Sequence, residues 1–271
     1  MHPNYKRYMN RPLTISVNKL DFGRFAGMFC TYCVLMIKVI ACISMLFDHL
    51  RYAIPEINDY FFLKNIGRLS FPLFAFCIVE GYIHTKNLKK YLLRLFVFGL
   101  ISQYPFMLFR TLVNDYFYID IMFTFILGII AIMCIDKIDN KIIGTILSLI
   151  VIALGKLLHV DYGWYGVATC VVLYIFRGKN IQRTIAFSCL IIAYYSISII
   201  TGLLENDAIG LDKFIHAFYL NASKMIFVIL SSCFMWIYNG KLGKKSKFSK
   251  YFFYVFYPLN CMVVYIISLI H

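Results

Sequence analysis

The stretch Gly67 to Arg94, GRLSFPLFAFCIVEGYIHTKNLKKYLLR, places an arginine and a glutamate inside an apolar run long enough to cross a membrane. A charged side chain at the centre of a membrane helix costs about 2.5 to 3.5 kcal/mol on insertion scales. A chain that keeps Arg68 and Glu80 at such positions pairs them or uses them. The composition supports the membrane setting: 61% hydrophobic residues, 15% charged and a mean hydropathy of +0.75 lie far from the soluble average. At about 20 residues per crossing, a chain of 271 residues holds roughly eight to ten spans in one domain.

Apolar runs between polar breaks predict an all-α bundle of about nine transmembrane helices, near 25–47, 66–84, 95–113, 121–135, 142–158, 164–176, 184–203, 214–238 and 251–270. The net charge of +14 reads as topology and not as a nucleic-acid surface. Alternate loops collect the cations: Lys86, Lys89, Lys90 and Arg94, then Lys137 and Lys141, then Arg177, Lys179 and Arg183, then Lys241, Lys244, Lys245, Lys247 and Lys250. The loops between them are poor in cations: they carry Arg51 and Lys64, then only Asp115 and Asp120, then Asp161, then Glu205, Asp207, Asp212 and a single Lys213. The positive-inside rule therefore predicts a cytoplasmic N-terminus, with residues 1–24 as a basic cytoplasmic arm (Lys6, Arg7, Arg11, Lys19, Arg24) and 25–271 as a single transmembrane domain. The first apolar run is too long for a signal-peptide core and is expected to be a retained span. The nine cysteines are scattered, mostly within apolar runs, and read as small buried residues, so neither a disulfide framework nor a metal site is expected.

Two clusters of polar residues emerge. Lys38 and His49 are eleven positions apart and fall within about 20° of one helix face, separated by roughly 16 Å along the axis. The first helix is expected to end in Asp48-His49, near the outer boundary, with Lys38 near the midplane. The second helix runs back, which brings Arg68 to the depth of Asp48 and allows an ion pair between them. Glu80 and His84 share a face at i, i+4 toward the cytoplasmic side, followed at once by the basic loop. A histidine beside a carboxylate is an ordinary general base, taking a proton from an attacking amine or hydroxyl. A basic loop suits an anionic cosubstrate with phosphates. The alternatives stay open at this level: an interfacial polar helix end, structural glue between helices, or a charge relay of Lys38, Arg68 and Glu80 in a permease.

The segments KVIACISMLFDHL (38–50), IGRLSFPLFAFCIVEGYIHT (66–85), YLLRLFVFGLISQYPF (91–106), FTFILGII (123–130), VDYGWYGV (160–167), YNGKLG (238–243) and YFFYVFYPLN (251–260) resemble the TraX family of membrane proteins, in family order over nearly the whole chain. The founding member of that family is the F-pilin acetylase of conjugative plasmids. The resemblance implies a multi-pass acetyltransferase of the bacterial cytoplasmic membrane. It would use acetyl-CoA as cosubstrate, with no metal, and act on a membrane-associated peptide, pilin or glycan acceptor. Carried onto this chain, the family's motif residues include Lys38, Asp48, His49, Arg68, Glu80, His84, Arg94, Asp161 and Tyr162. On these positions His49 is expected to act as base with Asp48 and Arg68, Glu80, His84, Arg94 and Lys38 to form the donor side together with Lys89 and Lys90 of the basic loop, and Asp161, Tyr162 and Asn260 to form the acceptor side. Two departures stand out. Family members usually have histidine where this chain has Asn260, and many have asparagine where it has Asp120. The leading expectation is acetyl transfer from cytoplasmic acetyl-CoA to an amine or hydroxyl at the outer face. Its rivals are a small-solute or proton-coupled permease and a noncatalytic assembly factor.

Overall fold

The computed structural model describes the backbone of residues 22–58, 60–113, 118–205, 210–238, 240 and 247–270, with side chains from 34 onward except 247–250. Residues 1–21 of the basic arm, Asp115, Asp207, Asn239 and most of the Lys241–Lys250 loop lie outside the described residues.

Every predicted segment is helical. The helices are α1 (Phe22–Ala53), α2 (Phe61–Ile66), α3 (Ser70–His84), α4 (Leu88–Thr111), α5 (Ile121–Lys137), α6 (Lys141–Leu157), α7 (Gly163–Ile175), α8 (Asn180–Glu205), α9 (Leu211–Trp236) and α10 (Lys247–Ser268). A 3-10 turn, Gly67–Leu69, joins α2 to α3, so 61–84 is one continuous rod. Extended pairing among the described residues is limited to an isolated parallel bridge between Ile119 and Val160. Helices satisfy their own backbone hydrogen bonds, as an apolar setting demands. Where the chain turns, side chains cap the new helix: Asn87 Oδ1 accepts from Lys90 N–H, and Asn140 Oδ1 from Ile142 N–H and Ile143 N–H.

Among the described residues, five rods are long and apolar enough to cross a membrane: Phe61–His84, Leu88–Thr111, Asn180–Glu205, Leu211–Trp236 and Tyr251–Ser268. α7 is apolar but only 13 residues long, while α5 and α6 have 17 each, about 25 Å against a hydrocarbon core of about 30 Å. The chain therefore holds several membrane-competent helices, and the expected count of nine crossings goes beyond length and composition.

An open ring of helices lies around α3, and α6 packs outside it on α5 and α7. α1 packs on α10, α10 on α4, α4 on α5, α5 on α7, α7 on α8 and α8 on α9, while α3 touches α1, α5, α7 and α9. The sequence of α3 explains its central place. It is apolar around its whole circumference, and Phe71, Leu73, Ala75, Phe76 and Val79 are all buried. The apolar window of the 61–84 rod is 67% buried, against 17–28% for the other four spans, whose exposed leucines and isoleucines mark outward faces.

One boundary differs in a way that matters. α1 was expected to end near 47, yet it continues to Ala53, so Asp48 and His49 lie inside the helix and not at its tip. The apolar run stops at Phe47 because Asp48, His49 and Arg51 follow it, but the Arg51 guanidinium is satisfied locally. Its Nε donates to Asp48 Oδ1 at 3.1 Å, one terminal nitrogen donates to Asn58 Oδ1 at 3.2 Å, another bonds the Tyr52 hydroxyl, and its plane lies 3.8 Å from the Tyr52 ring centre.

Candidate functional site

The alternation of helices gives the bundle two chemically different ends. At one, α1 and α4 finish and α2, α5, α7 and α9 begin; at the other, α3 and α5 finish and α4, α6 and α8 begin.

At the first end, Asp48 and His49 face different partners. Asp48 pairs with Arg51, and no ion pair joins it to Arg68 among the described contacts. The two are still neighbours, because α1 crosses the 3-10 turn so closely that a Cβ on Gly67 would lie 2.3 Å from Asp48 Cβ. Glycine is required there by contact and not by backbone angle, and it sets Arg68 against α1 and the mouth of α7. His49 stacks on Phe109 of α4 at 4.2 Å and meets Asn260 of α10, Nδ1 to Nδ2, at 2.6 Å. Residues 211 positions apart are thereby brought together. Asn260 itself is buried, at 4% exposure, two residues after Pro258 within α10.

Arg68 lines a cavity of about 480 Å³ enclosed by the 3-10 turn, α3, α7, α8 and α9. Tyr162, Tyr165, Tyr194 and Tyr195 form one wall, and Asn221 and Lys224 of α9 another. Arg68 Nε is buried without a hydrogen-bond partner among the described residues. Tyr162 has a left-handed backbone at φ 62° and stacks on Phe71 at 3.9 Å. Burial, and next the adjacent Asp161, push its hydroxyl well above its ordinary range. Asp161 is held by its backbone: its N–H donates to Ile119 O at 2.8 Å, and its carbonyl accepts from the Thr124 hydroxyl.

The neighbouring α4–α5 connection is pinned by Asp120, which caps α5 by accepting from Met122 N–H at 3.0 Å and also takes the Ser102 hydroxyl. Its backbone N–H donates to Gln103 Oε1 at 2.9 Å. Burial pushes the Asp120 carboxyl up to about 7, against the opposing pull of these hydrogen bonds.

At the second end, Glu80 is 2% exposed and receives a two-pronged bond from Arg177, Nε to Oε1 at 2.8 Å and a terminal nitrogen to Oε2 at 3.1 Å. His84 Nδ1 lies 3.5 Å from Glu80 Oε2 and 2.9 Å from its backbone carbonyl, while Nε2 meets Gly240 O at 3.1 Å. Asp136 accepts the hydroxyls of Tyr82 and Tyr174 at 2.8 and 2.6 Å. Lys89 and Lys90 are exposed at the start of α4. Arg94 and Arg183 each keep a buried Nε without a partner among the described residues. Lys38 sits between the two ends, its ammonium 4.6 Å from the Phe253 ring centre.

The structure thus groups Asp48, His49 and Asn260 at one end, with Arg68, Asp161 and Tyr162 beside them, and Glu80 with His84 at the other. Lys38 belongs to neither group. Sequence reasoning treated Arg51 and Arg177 as loop charges and passed over Asn221, Lys224 and the tyrosines of α8. The i, i+3 spacing of Asp48 and Arg51 was the legible signal; the Glu80–Arg177 pairing, 97 residues apart, had none.

The sequence model of the family described as TraX protein matches residues 34–268. The chain belongs to the TraX family. Its matched region takes in both polar ends and the whole ring of helices from the middle of α1 to the end of α10. This TraX chain is also similar to the Probable fimbrial assembly protein FimC, serogroup H1, of Dichelobacter nodosus, at 32% identity over 163 residues. That alignment covers 56% of this chain and 65% of FimC, so the chain spans less than two thirds of that relative's length. No solved structure matches it.

Proposed function

We propose that this TraX protein is an acetyltransferase of the bacterial cytoplasmic membrane, with nine crossings and its basic end inside. It moves an acetyl group from cytoplasmic acetyl-CoA to an amine or hydroxyl acceptor at the outer face. The fimbrial assembly named for its relative favours a pilin-like peptide as that acceptor. The observation that carries the reading is His49, an imidazole clamped on Phe109 and held at Nδ1 by Asn260, with Asp48 next to it in the chain.

The amide of Asn260 can meet Nδ1 with either end. With its oxygen accepting from Nδ1–H, the lone pair of Nε2 is free to take a proton. The acceptor amine then attacks the thioester carbonyl, and the C–N bond forms as the C–S bond breaks. His49 takes the amine proton and returns it to the departing thiolate. Acetyl-CoA supplies the activated acyl group. The basic end suits its phosphates, since Arg94 and Arg183 carry buried N–H donors with no acceptor of their own, and Lys89 and Lys90 stand exposed nearby in sequence.

The test is thiol release from acetyl-CoA by the purified full chain in nanodiscs, with and without host membrane extract. Turnover is expected to need the extract and to fall by about a hundredfold or more in His49→Ala. A His49→Ala protein that folds normally and keeps the parent rate would overturn the assignment.

A further inference from the structure

We propose that the cavity bearing Arg68 and Lys224 binds the phosphate monoester of an amphipathic ligand. The proposal does not depend on acyl transfer, because it rests on charge and unmet hydrogen bonding within this cavity alone.

Two cations face the cavity, and no aspartate or glutamate lines it. Asp48, the carboxylate nearest Arg68 in the packing, lies outside the lining and acts on both Arg51 and Arg68, so with the Arg51 charge counted against it two positive charges remain. Arg68 Nε is a buried donor with no acceptor among the described residues, a state that a bound acceptor relieves. Lys224 is poised from the opposite helix: Asn221 Oδ1 takes one of its protons at 2.9 Å and leaves the others free to turn inward. A guanidinium presents a planar fork and an ammonium a point charge, and together they suit a tetrahedral dianion.

Charge matching narrows the class. A phosphate monoester near its dianionic state balances both cations, whereas one carboxylate leaves a cation uncompensated, and an ammonium group is repelled. The rest of the lining is aromatic or aliphatic, with Phe71, Pro72, Ile199, Leu203 and Val228 beside the tyrosines. Such a wall accepts an apolar tail or the flat face of a ring attached to the phosphate. At about 480 Å³ the space exceeds a bare phosphate and fits a headgroup with the beginning of its chain.

The probe is dihexanoyl phosphatidic acid titrated calorimetrically into the full chain in maltoside micelles. Inorganic phosphate, dihexanoylglycerol and octanoate are run as separate arms. Saturable binding of the phosphatidic acid is expected, weakened about tenfold or more in Lys224→Gln and in Arg68→Gln, and kept in Lys224→Arg. Asn221→Ala, which releases Lys224 without removing its charge, is the second variant and is expected to weaken binding about threefold. Competition by inorganic phosphate at comparable affinity would keep the phosphate site and name a free phosphate as its source. Equal binding of octanoate or dihexanoylglycerol, absence of saturable binding, or unchanged affinity in a folded Lys224→Gln protein would each overturn the proposal.

Discussion

Replacing Arg177 by methionine is the sharpest test of how the bundle is held at its basic end. Arg177 follows α7 and reaches Glu80 on the central helix through two short bonds of 2.8 and 3.1 Å. Glu80 is 2% exposed and the Arg177 side chain 32%, so the carboxylate is the partner that cannot reach water when the pair is broken. Removing one member of a buried pair costs about 3 to 5 kcal/mol, chiefly because the remaining charge is left uncompensated. Arg183, whose charge also acts on Glu80, recovers part of this, which places Arg177→Met near the lower bound, about 3 kcal/mol. Glu80→Gln removes the charge that needs compensation, so the double variant is expected to be less destabilised than the sum of the singles by about 1 to 3 kcal/mol. Urea or thermal unfolding of the four proteins in one detergent, followed by helix content, completes the cycle. Additivity within about 0.5 kcal/mol would refute the claim that Glu80 depends on Arg177.

Gly67→Ala is expected to destabilise the protein by about 1 to 3 kcal/mol, because the added Cβ lies 2.3 Å from Asp48 Cβ and α1 must move away; an unchanged melting temperature would show that α1 does not cross there. Asp120 gives a pH signature. Its carboxyl, pushed up to about 7 in the folded chain against 3.8 ordinarily, keeps a proton that the unfolded chain has already lost, so its contribution to stability falls as pH rises from about 4 to about 7. Asp120→Asn keeps a capping oxygen and is expected to flatten that decline in unfolding curves taken across the window, and a parallel pair of curves would count against the burial argument. Asn260→Leu leaves His49 Nδ1 without its partner and is expected to lower kcat for acetyl transfer by up to about a hundredfold with KM little changed, while Asn260→His restores a ring nitrogen at that place and most of the rate; equal rates for all three would remove Asn260 from the site.

The helices were legible because each is written as an apolar run between polar breaks, and in a membrane-type chain no other element competes for such a run. Misreadings cluster where a charge is satisfied within a few residues. Asp48, His49 and Arg51 end the first run by hydropathy, yet the bonds of Arg51 to Asp48, Tyr52 and Asn58 let α1 continue past them. The closeness of Asp48 and Arg68 was legible from helix reversal, but their pairing was not, since a nearer cation already occupies Asp48. The contact of His49 with Asn260 depends on α10 packing beside both α1 and α4, which no local pattern encodes. Of the cavity tyrosines only Tyr162 was singled out, because Tyr194 and Tyr195 lie midway along α8 and meet Arg68 and Lys224 only through the packing of α7, α8 and α9.

Both polar ends meet on the one rod that the other helices surround. The 61–84 rod carries Gly67 and Arg68 against α1 at one extremity and Glu80 and His84 against Arg177 and Gly240 at the other. Between them its face is Phe71, Leu73, Ala75, Phe76 and Val79, all buried, so no chain of polar side chains on this helix joins the ends. From Glu80 to Arg68 that apolar length is about 18 Å at helical rise, and Lys38 of α1, which sits between the two ends, is the cation placed along it. The central rod therefore places its own polar groups at its two ends, where all the singled-out side chains except Lys38 are found.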